Sequence, residues 1–318
     1  MRPRVLVTSN DVPSAGIDLL RTKCDVTIIQ SSNIEREDLL QALPGHDAVF
    51  IAKHHSVNTE FLNIAGPTLK VISTMSAGYD YLDVPEIKRR GIKVGHTPMV
   101  LSNAVADIAV LLTLSASRRA HEGRLKLEQD QYERRLDWLL GQDIEGSTVG
   151  IVGLGNIGQA IVKRLKGFEV GRFIYTGHSR KKAGDDLGAH FVSLDELLEQ
   201  SDFVIVVVPL NNETRGMFND NTFGKMKKTA VLVNVSRGQV VNTDALVKAL
   251  KNKTIFAAGL DVTNPEPLPP DHELLKLPNA VVTPHIGSAT MKTRRNMSIT
   301  AAQNILNGLE GKPLVYEV

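Results

Sequence analysis

Ten residues near the middle of the chain, Val149-Gly150-Ile151-Val152-Gly153-Leu154-Gly155-Asn156-Ile157-Gly158, restrict its folds more than any other stretch. A short apolar, β-favouring run enters Gly-x-Gly-x-x-Gly. Apolar residues then recur at helical spacing at Ile157, Ile161, Leu165 and Phe168. The pattern predicts a strand, a tight turn and the start of a helix. Gly153 permits the turn, Gly155 lets a pyrophosphate approach the backbone, and Gly158 lets helix pack on strand. The helix start offers N–H groups and a positive dipole end to phosphate. The stretch therefore reads as a dinucleotide-binding βαβ unit. A glycine-rich loop in an α/β protein without a cofactor is the alternative.

At 318 residues the chain is long enough for about two domains. Its net charge of +2 gives no electrostatic case for nucleic acid or an anionic membrane surface. The single cysteine, Cys24, excludes an intramolecular disulfide and reads as a small buried hydrophobe. No apolar run approaches the ~20 residues that span a bilayer. The first residues, Met1-Arg2-Pro3-Arg4-Val5-Leu6-Val7, read as a first strand rather than a signal peptide, and Val315-Tyr316-Glu317-Val318 carries no retention signal. A cytoplasmic location is expected.

Residues 1–102 alternate apolar runs with helical patterns, as an α/β unit does. Strands are expected at Arg4–Thr8, Val26–Ile29, Ala48–Ala52 and Leu69–Thr74, and helices at Ala15–Lys23, Glu37–Ala42 and Thr59–Ala65. After the fourth strand, Met75-Ser76-Ala77-Gly78-Tyr79-Asp80 forms a loop of small residues able to offer backbone N–H groups to an anion. From Asn103 to Arg118 a long helix is too apolar for a surface one. Residues 119–145 are charged, with Tyr132, Trp138, Leu139 and Leu140 embedded. This reads as an excursion whose apolar residues need a partner, such as a second subunit. Beyond the glycine turn, apolar runs at Phe173–Tyr175, Val204–Val208, Val231–Val235, Phe256–Leu260 and Ala280–Thr283 complete a parallel sheet covered on both faces. The expected fold class is α/β, with two Rossmann-like doubly wound parallel-sheet domains.

Ligands of such sheets bind beyond the carboxyl ends of the strands. There the chain places the glycine turn, Thr176-Gly177-His178-Ser179-Arg180-Lys181-Lys182, Pro209-Leu210, Ser236-Arg237-Gly238, Asp261-Val262 and Pro284-His285-Ile286-Gly287. Where an NAD site carries an acid for the ribose 2′-hydroxyl, this chain has Thr176, then His178, Ser179, Arg180 and Lys181. Hydroxyl and cationic donors suit a 2′-phosphate, so NADPH is expected over NADH. Three residues suit acid–base work on a carbonyl. His285 can exchange a proton near neutral pH, and Glu266, framed by Pro265 and Pro267, favours the protonated ring when beside it. Arg237 can hold a carboxylate by paired hydrogen bonds and polarise the neighbouring carbonyl. His54, His55, His96 and His121 show no ligand spacing, and no metal site is legible.

With these residues in place the chain resembles the D-2-hydroxyacid dehydrogenase family. The matching pieces are Gly153-Leu154-Gly155-Asn156-Ile157-Gly158, Val235-Ser236-Arg237-Gly238, Gly259-Leu260-Asp261-Val262 with Pro265-Glu266-Pro267, and Pro284-His285-Ile286-Gly287-Ser288. Within the family it is most similar to animal glyoxylate/hydroxypyruvate reductases, through Val71-Ile72-Ser73-Thr74-Met75-Ser76-Ala77-Gly78, Tyr175-Thr176-Gly177, Asp261-Val262-Thr263 and Pro265-Glu266-Pro267-Leu268-Pro269. The resemblance implies NADPH-dependent reduction of glyoxylate to glycolate and of hydroxypyruvate to D-glycerate. His285 is then the proton donor, Glu266 its partner and Arg237 the carboxylate and carbonyl anchor. Ala77 and Gly78 would give backbone N–H groups to the substrate, with Ser288 beside it and Asp261 either beside it or a structural support. Gly155, Asn156 and Ile157 would meet the pyrophosphate, and Val235 and Gly287 the nicotinamide half, with Pro209 where some relatives set a polar residue near the cofactor.

The resemblance further implies a substrate domain of residues 1–102 plus 291–318 and a dinucleotide-binding domain of 103–290, with a cleft between them closed by hinge motion. It implies a homodimer in which 119–145 reaches over the partner and Trp138 lines the neighbouring pocket. Asn156 stands where an arginine is common, and His178-Ser179-Arg180 replaces a pair of arginines. Two alternatives share the fold: 3-phosphoglycerate dehydrogenase, disfavoured by the missing acid, and a dinucleotide-sensing corepressor. Formate dehydrogenase has no use for a His–Glu pair.

Overall fold

The apolar runs of the first hundred residues become five parallel strands: β1 (Arg4–Val7), β2 (Asp25–Ile28), β3 (Ala48–Ile51), β4 (Val71–Thr74) and β5 (Lys93–Gly95). Their order in the sheet is β2-β1-β3-β4-β5, with a switch of direction between β1 and β3. β3 and β4, in the middle, are buried at every position, whereas edge strand β2 alternates exposed and half-buried residues. The helices Ser14–Arg21 and Met291–Leu309 pack on each other, and the latter also on β3 and β4. Leu39, Phe61, Leu62 and Ile87, from three further helices, form a core with Leu6, Val49 and Ile72. The computed structural model describes residues 2–318. These strands and helices belong to one compact unit, Met1–Leu101 with Ala289–Val318, and Ser102–Ser288 forms the second.

The second unit carries seven parallel strands: β6 (Thr148–Val152), β7 (Arg172–Thr176), β8 (Ala189–Phe191), β9 (Phe203–Val206), β10 (Val231–Asn234), β11 (Ala257–Leu260) and β12 (Ala280–Val282). They lie in the order β12-β11-β10-β9-β6-β7-β8, so the chain winds outward from β6 to β8 and returns to the other side of β6 at β9. That reversal at β6/β9 is the doubly wound switch point, and the glycine turn emerges there. The sheet is covered on both sides. A Cβ on Gly259 would meet Leu112 of the helix Ser102–Ser117 at 2.8 Å. Its neighbours Ala258 and Leu260 join a core containing Leu197, Phe218, Leu246 and Leu250.

Both doubly wound parallel sheets expected from the sequence are present. β5 and β8 were not among the expected strands: each is three residues at a sheet edge, and Lys93 and His190 interrupt the apolar pattern. The apolar stripe after the glycine turn is also shorter than expected. The helix Asn156–Leu165 buries Ile161 and Leu165, but Phe168 lies in a following 3₁₀ turn with 38% of its surface exposed. Residues 119–145 hold one helix, Ala120–Glu128, with no buried residue. Beyond it Tyr132 and Trp138 meet edge-on at 5.2 Å, and Leu136 is fully exposed. No helix among the described residues is long and apolar enough to cross a membrane.

Candidate active site

At the end of β6 the chain turns at Gly153, whose φ of +101° suits glycine and few other residues. A Cβ there would lie 2.9 Å from the Val207 carbonyl oxygen at the end of β9. A Cβ on buried Gly158 would run into the Gly153 carbonyl oxygen. Gly155 differs, because a Cβ there would meet no protein atom within 4 Å. Gly155 is also the N-cap of the helix Asn156–Leu165, which no side chain caps. The N–H groups of Asn156, Ile157 and Gly158 therefore border a space that a side chain at 155 would fill. Amide donors, a dipole end and an open cradle together fit a pyrophosphate.

The loop after β7 rises from a buried anchor: Lys181 N–H donates to Tyr175 Oη at 2.7 Å, and Tyr175 is only 1% exposed. His178, Ser179, Arg180 and Lys181 are exposed. The sequence puts no acid at this strand end, but the fold brings two to it. Arg180 pairs with Asp185 at 2.7 Å, and His178 Nδ1 lies 4.0 Å from Glu213. Both pairs face solvent and are individually weak. Pro209 is exposed and its carbonyl accepts from Thr214 Oγ1 at 2.7 Å, while Val235 is buried.

The carboxyl ends of β10, β11 and β12 are neighbours, and their loops carry Arg237, Glu266 and His285. Asn234, fully buried at the end of β10, shapes the first loop. Its Oδ1 accepts from Ser236 N–H at 3.0 Å and Ser236 Oγ at 2.7 Å, and its Nδ2 donates to the Arg237 carbonyl at 2.9 Å. Arg237 is half-buried. A Cβ on Gly238 would overlap the Thr263 carbonyl, so this glycine lets the Arg237 loop lie directly on the Glu266 loop. In that second loop Thr263 N–H donates to Glu266 Oε2 at 3.2 Å and Thr263 Oγ1 to the Pro265 carbonyl at 2.8 Å. Glu266 Oε1 meets His285 Nδ1 at 2.6 Å, with about a third of each side chain exposed. Glu266 thus holds Nδ1 and fixes the orientation of the ring.

His285 has a φ of +54°, a conformation seldom adopted by non-glycine residues. Asp261, 2% exposed, holds it there. The Asp261 carbonyl accepts from His285 N–H at 2.8 Å. Its Oδ1 accepts from Thr283 Oγ1 at 2.6 Å and Ile286 N–H at 2.9 Å, and its Oδ2 from Gly287 N–H at 2.7 Å. With three hydrogen bonds on its two carboxylate oxygens, Asp261 supports the loop's geometry, and Ser288 follows it half-buried. In the first unit, Ala77 and Gly78 lie half-buried in the loop after β4. The sequence names Gly238 only within Ser236-Arg237-Gly238 and gives no place to Asn234 or Asp185. An Asn closing an apolar strand before Ser-Arg-Gly is an Asx-turn signal that could have revealed Asn234. Among the described residues no cluster of three or more His, Cys, Asp or Glu side chains could hold a metal ion.

The sequence profile of the D-isomer specific 2-hydroxyacid dehydrogenase NAD binding domain matches residues 110–287. The chain is 45% identical to the human glyoxylate reductase/hydroxypyruvate reductase, covering 100% of this chain and 99% of that protein. The chain belongs to the D-isomer specific 2-hydroxyacid dehydrogenase family. As a member it is an oxidoreductase whose second unit carries the nicotinamide dinucleotide-binding domain. Solved structures of similar form include a protein from Thermus thermophilus (39% identity, TM-score 0.91, 99% of both chains). Another is an NADPH-dependent glyoxylate/hydroxypyruvate reductase from Sinorhizobium meliloti in complex with NADP and malonate (30% identity, TM-score 0.87, 100% of this chain and 97% of that one).

Proposed function

We propose that this dehydrogenase reduces glyoxylate to glycolate and hydroxypyruvate to D-glycerate, using NADPH in preference to NADH. The names of the human and Sinorhizobium relatives support the substrates. The observation that carries the chemistry is the 2.6 Å pair between His285 Nδ1 and Glu266, seated one strand from the Arg237 loop. The cofactor, when bound, supplies a hydride to the keto carbon. Arg237 binds the substrate carboxylate and polarises the adjacent carbonyl, assisted by N–H groups of Ala77 and Gly78. His285 delivers its proton from Nε2 to the carbonyl oxygen as charge develops there, and Glu266 stabilises the protonated ring and fixes its orientation. Asp261 keeps the imidazole in place. Gly153, Gly155, Asn156, Ile157 and Gly158 hold the pyrophosphate. Val235, Pro209 and Gly287 line the nicotinamide side, and His178, Ser179, Arg180 and Lys181 receive the 2′-phosphate.

The first unit is the substrate domain in this reading. The exposed residues Leu127, Tyr132, Leu136 and Leu140 are the contact surface for a second copy of the chain. Oxidation of NADPH followed with glyoxylate, hydroxypyruvate, pyruvate and phosphohydroxypyruvate side by side tests the assignment. Turnover confined to pyruvate or phosphohydroxypyruvate would refute it.

A further inference from the structure

The loop Ser76–Gly78 is fixed through three successive carbonyl groups, two of them held by residues 96 and 97. The Ser76 carbonyl accepts from Thr97 N–H at 2.8 Å, the Ala77 carbonyl pairs with His96 Nδ1 at 2.9 Å, and the Gly78 carbonyl accepts from Ser76 Oγ at 2.6 Å. In a planar trans peptide the C=O of one residue and the N–H of the next point in opposite directions. Holding the Ser76 oxygen therefore aims the Ala77 N–H away from Thr97. Holding the Ala77 oxygen aims the Gly78 N–H away from His96. The first of these bonds is backbone to backbone, but the second depends on a side chain.

His96 is itself immobilised. Its N–H donates to the Tyr316 carbonyl at 3.1 Å, and its carbonyl accepts from Asn304 Nδ2 at 3.1 Å. Asn304 is fully buried and spends its Oδ1 on the N–H groups of Val315 and Tyr316, at 2.9 and 3.1 Å. Tyr79 stands edge-on to the imidazole at 5.2 Å. Burial holds the ring below the usual histidine pKa, which favours the neutral form. Because a carbonyl only accepts, that form carries its hydrogen on Nδ1.

We propose that His96 is a positioning residue for the substrate carboxylate: by holding the Ala77 carbonyl it aims the Gly78 N–H at the bound keto acid. This rests on the reading in which Ala77 and Gly78 serve the substrate. The test compares His96→Ala, His96→Asn and His96→Gln in the full chain, by steady-state kinetics with glyoxylate and NADPH. The asparagine amide nitrogen reaches the place of Nδ1, whereas the glutamine amide extends toward that of Nε2. His96→Ala and His96→Gln should raise the glyoxylate KM about tenfold, the loss of one hydrogen bond to a charged group. The kcat should change far less, the NADPH KM should stay as in the wild type, and His96→Asn should recover most of the loss. An unchanged glyoxylate KM in His96→Ala would overturn the proposal. So would a parallel rise in both KM values that His96→Asn does not relieve. If His96→Ala does not fold, equal glyoxylate KM values for the Asn and Gln variants overturn it. A wild type inactive on every 2-keto acid would instead remove the functional reading beneath it.

Discussion

Replacing Asp261 by Asn isolates the clamp on the proposed proton donor, because it changes one oxygen and almost no volume. In the same rotamer an Asn keeps Oδ1, and with it the Thr283 hydroxyl at 2.6 Å and the Ile286 N–H at 2.9 Å. The new NH₂ replaces Oδ2 and faces the Gly287 N–H, which donates to that oxygen at 2.7 Å. Donor then opposes donor at a buried position. A charge-assisted hydrogen bond is worth about 1.5–3 kcal/mol, and a stranded buried N–H costs about 1–3 kcal/mol. The left-handed backbone at His285 stores a further strain of about 1 kcal/mol that the clamp must hold. Taking about 3 kcal/mol for the whole, the seated loop becomes roughly 150-fold less favoured, so kcat/KM for hydroxypyruvate should fall about 100-fold. The assay is NADPH oxidation under initial-rate conditions, with cofactor binding followed separately by fluorescence. Retention of kcat/KM within a factor of about three would show that the seating of His285 does not depend on the Asp261 carboxylate.

Two further perturbations read other parts of the molecule. Arg180→Ala should raise the NADPH KM about tenfold and leave the NADH KM unchanged, while Asp185→Asn, by freeing that guanidinium, should lower the NADPH KM; a parallel change for both cofactors would place the 2′-phosphate elsewhere. Burial holds His46, His55 and His96 below the usual histidine value of about 6.5, and all three lie in the first unit. The unfolded chain binds protons that these folded rings refuse, so their contribution is complete above that value and is lost as pH falls below it. Each ring adds at most about 1.4 kcal/mol per pH unit. The melting temperature should therefore drop between pH 7.5 and 5.5, with the first unit unfolding ahead of the second, and a flat profile would contradict the burial argument.

The sequence carried the two sheets because their central strands are continuous apolar runs, such as Val204–Val206 and Val231–Val233, between glycine or polar loop signals. It did not carry β5 and β8, whose three residues are specified by their neighbours in the sheet rather than by their own pattern. Gly153, Glu266, Arg237 and His285 were legible as residue types at strand ends, since the rule for ligand position in such sheets needs only chain order. What escaped were supporting roles whose partners are distant in sequence. Gly238 matters because Thr263 lies on it and His96 because Ala77 and Tyr316 meet there, while Asp261, open in the sequence between substrate contact and support, draws its supporting bonds from the loop from 283 to 287. The basic loop after β7 looked unopposed for the same reason: Glu213 is some thirty-five residues beyond His178.

In the proposed reaction His285 gives its proton to the keto oxygen. Turnover of His285→Ala with NADPH and glyoxylate, alongside its NADPH dissociation constant, tests that most directly. The expected result is a kcat lowered by about 10³, with cofactor binding as in the wild type. A kcat within about tenfold of the wild type, or a loss explained wholly by weaker NADPH binding, would contradict it.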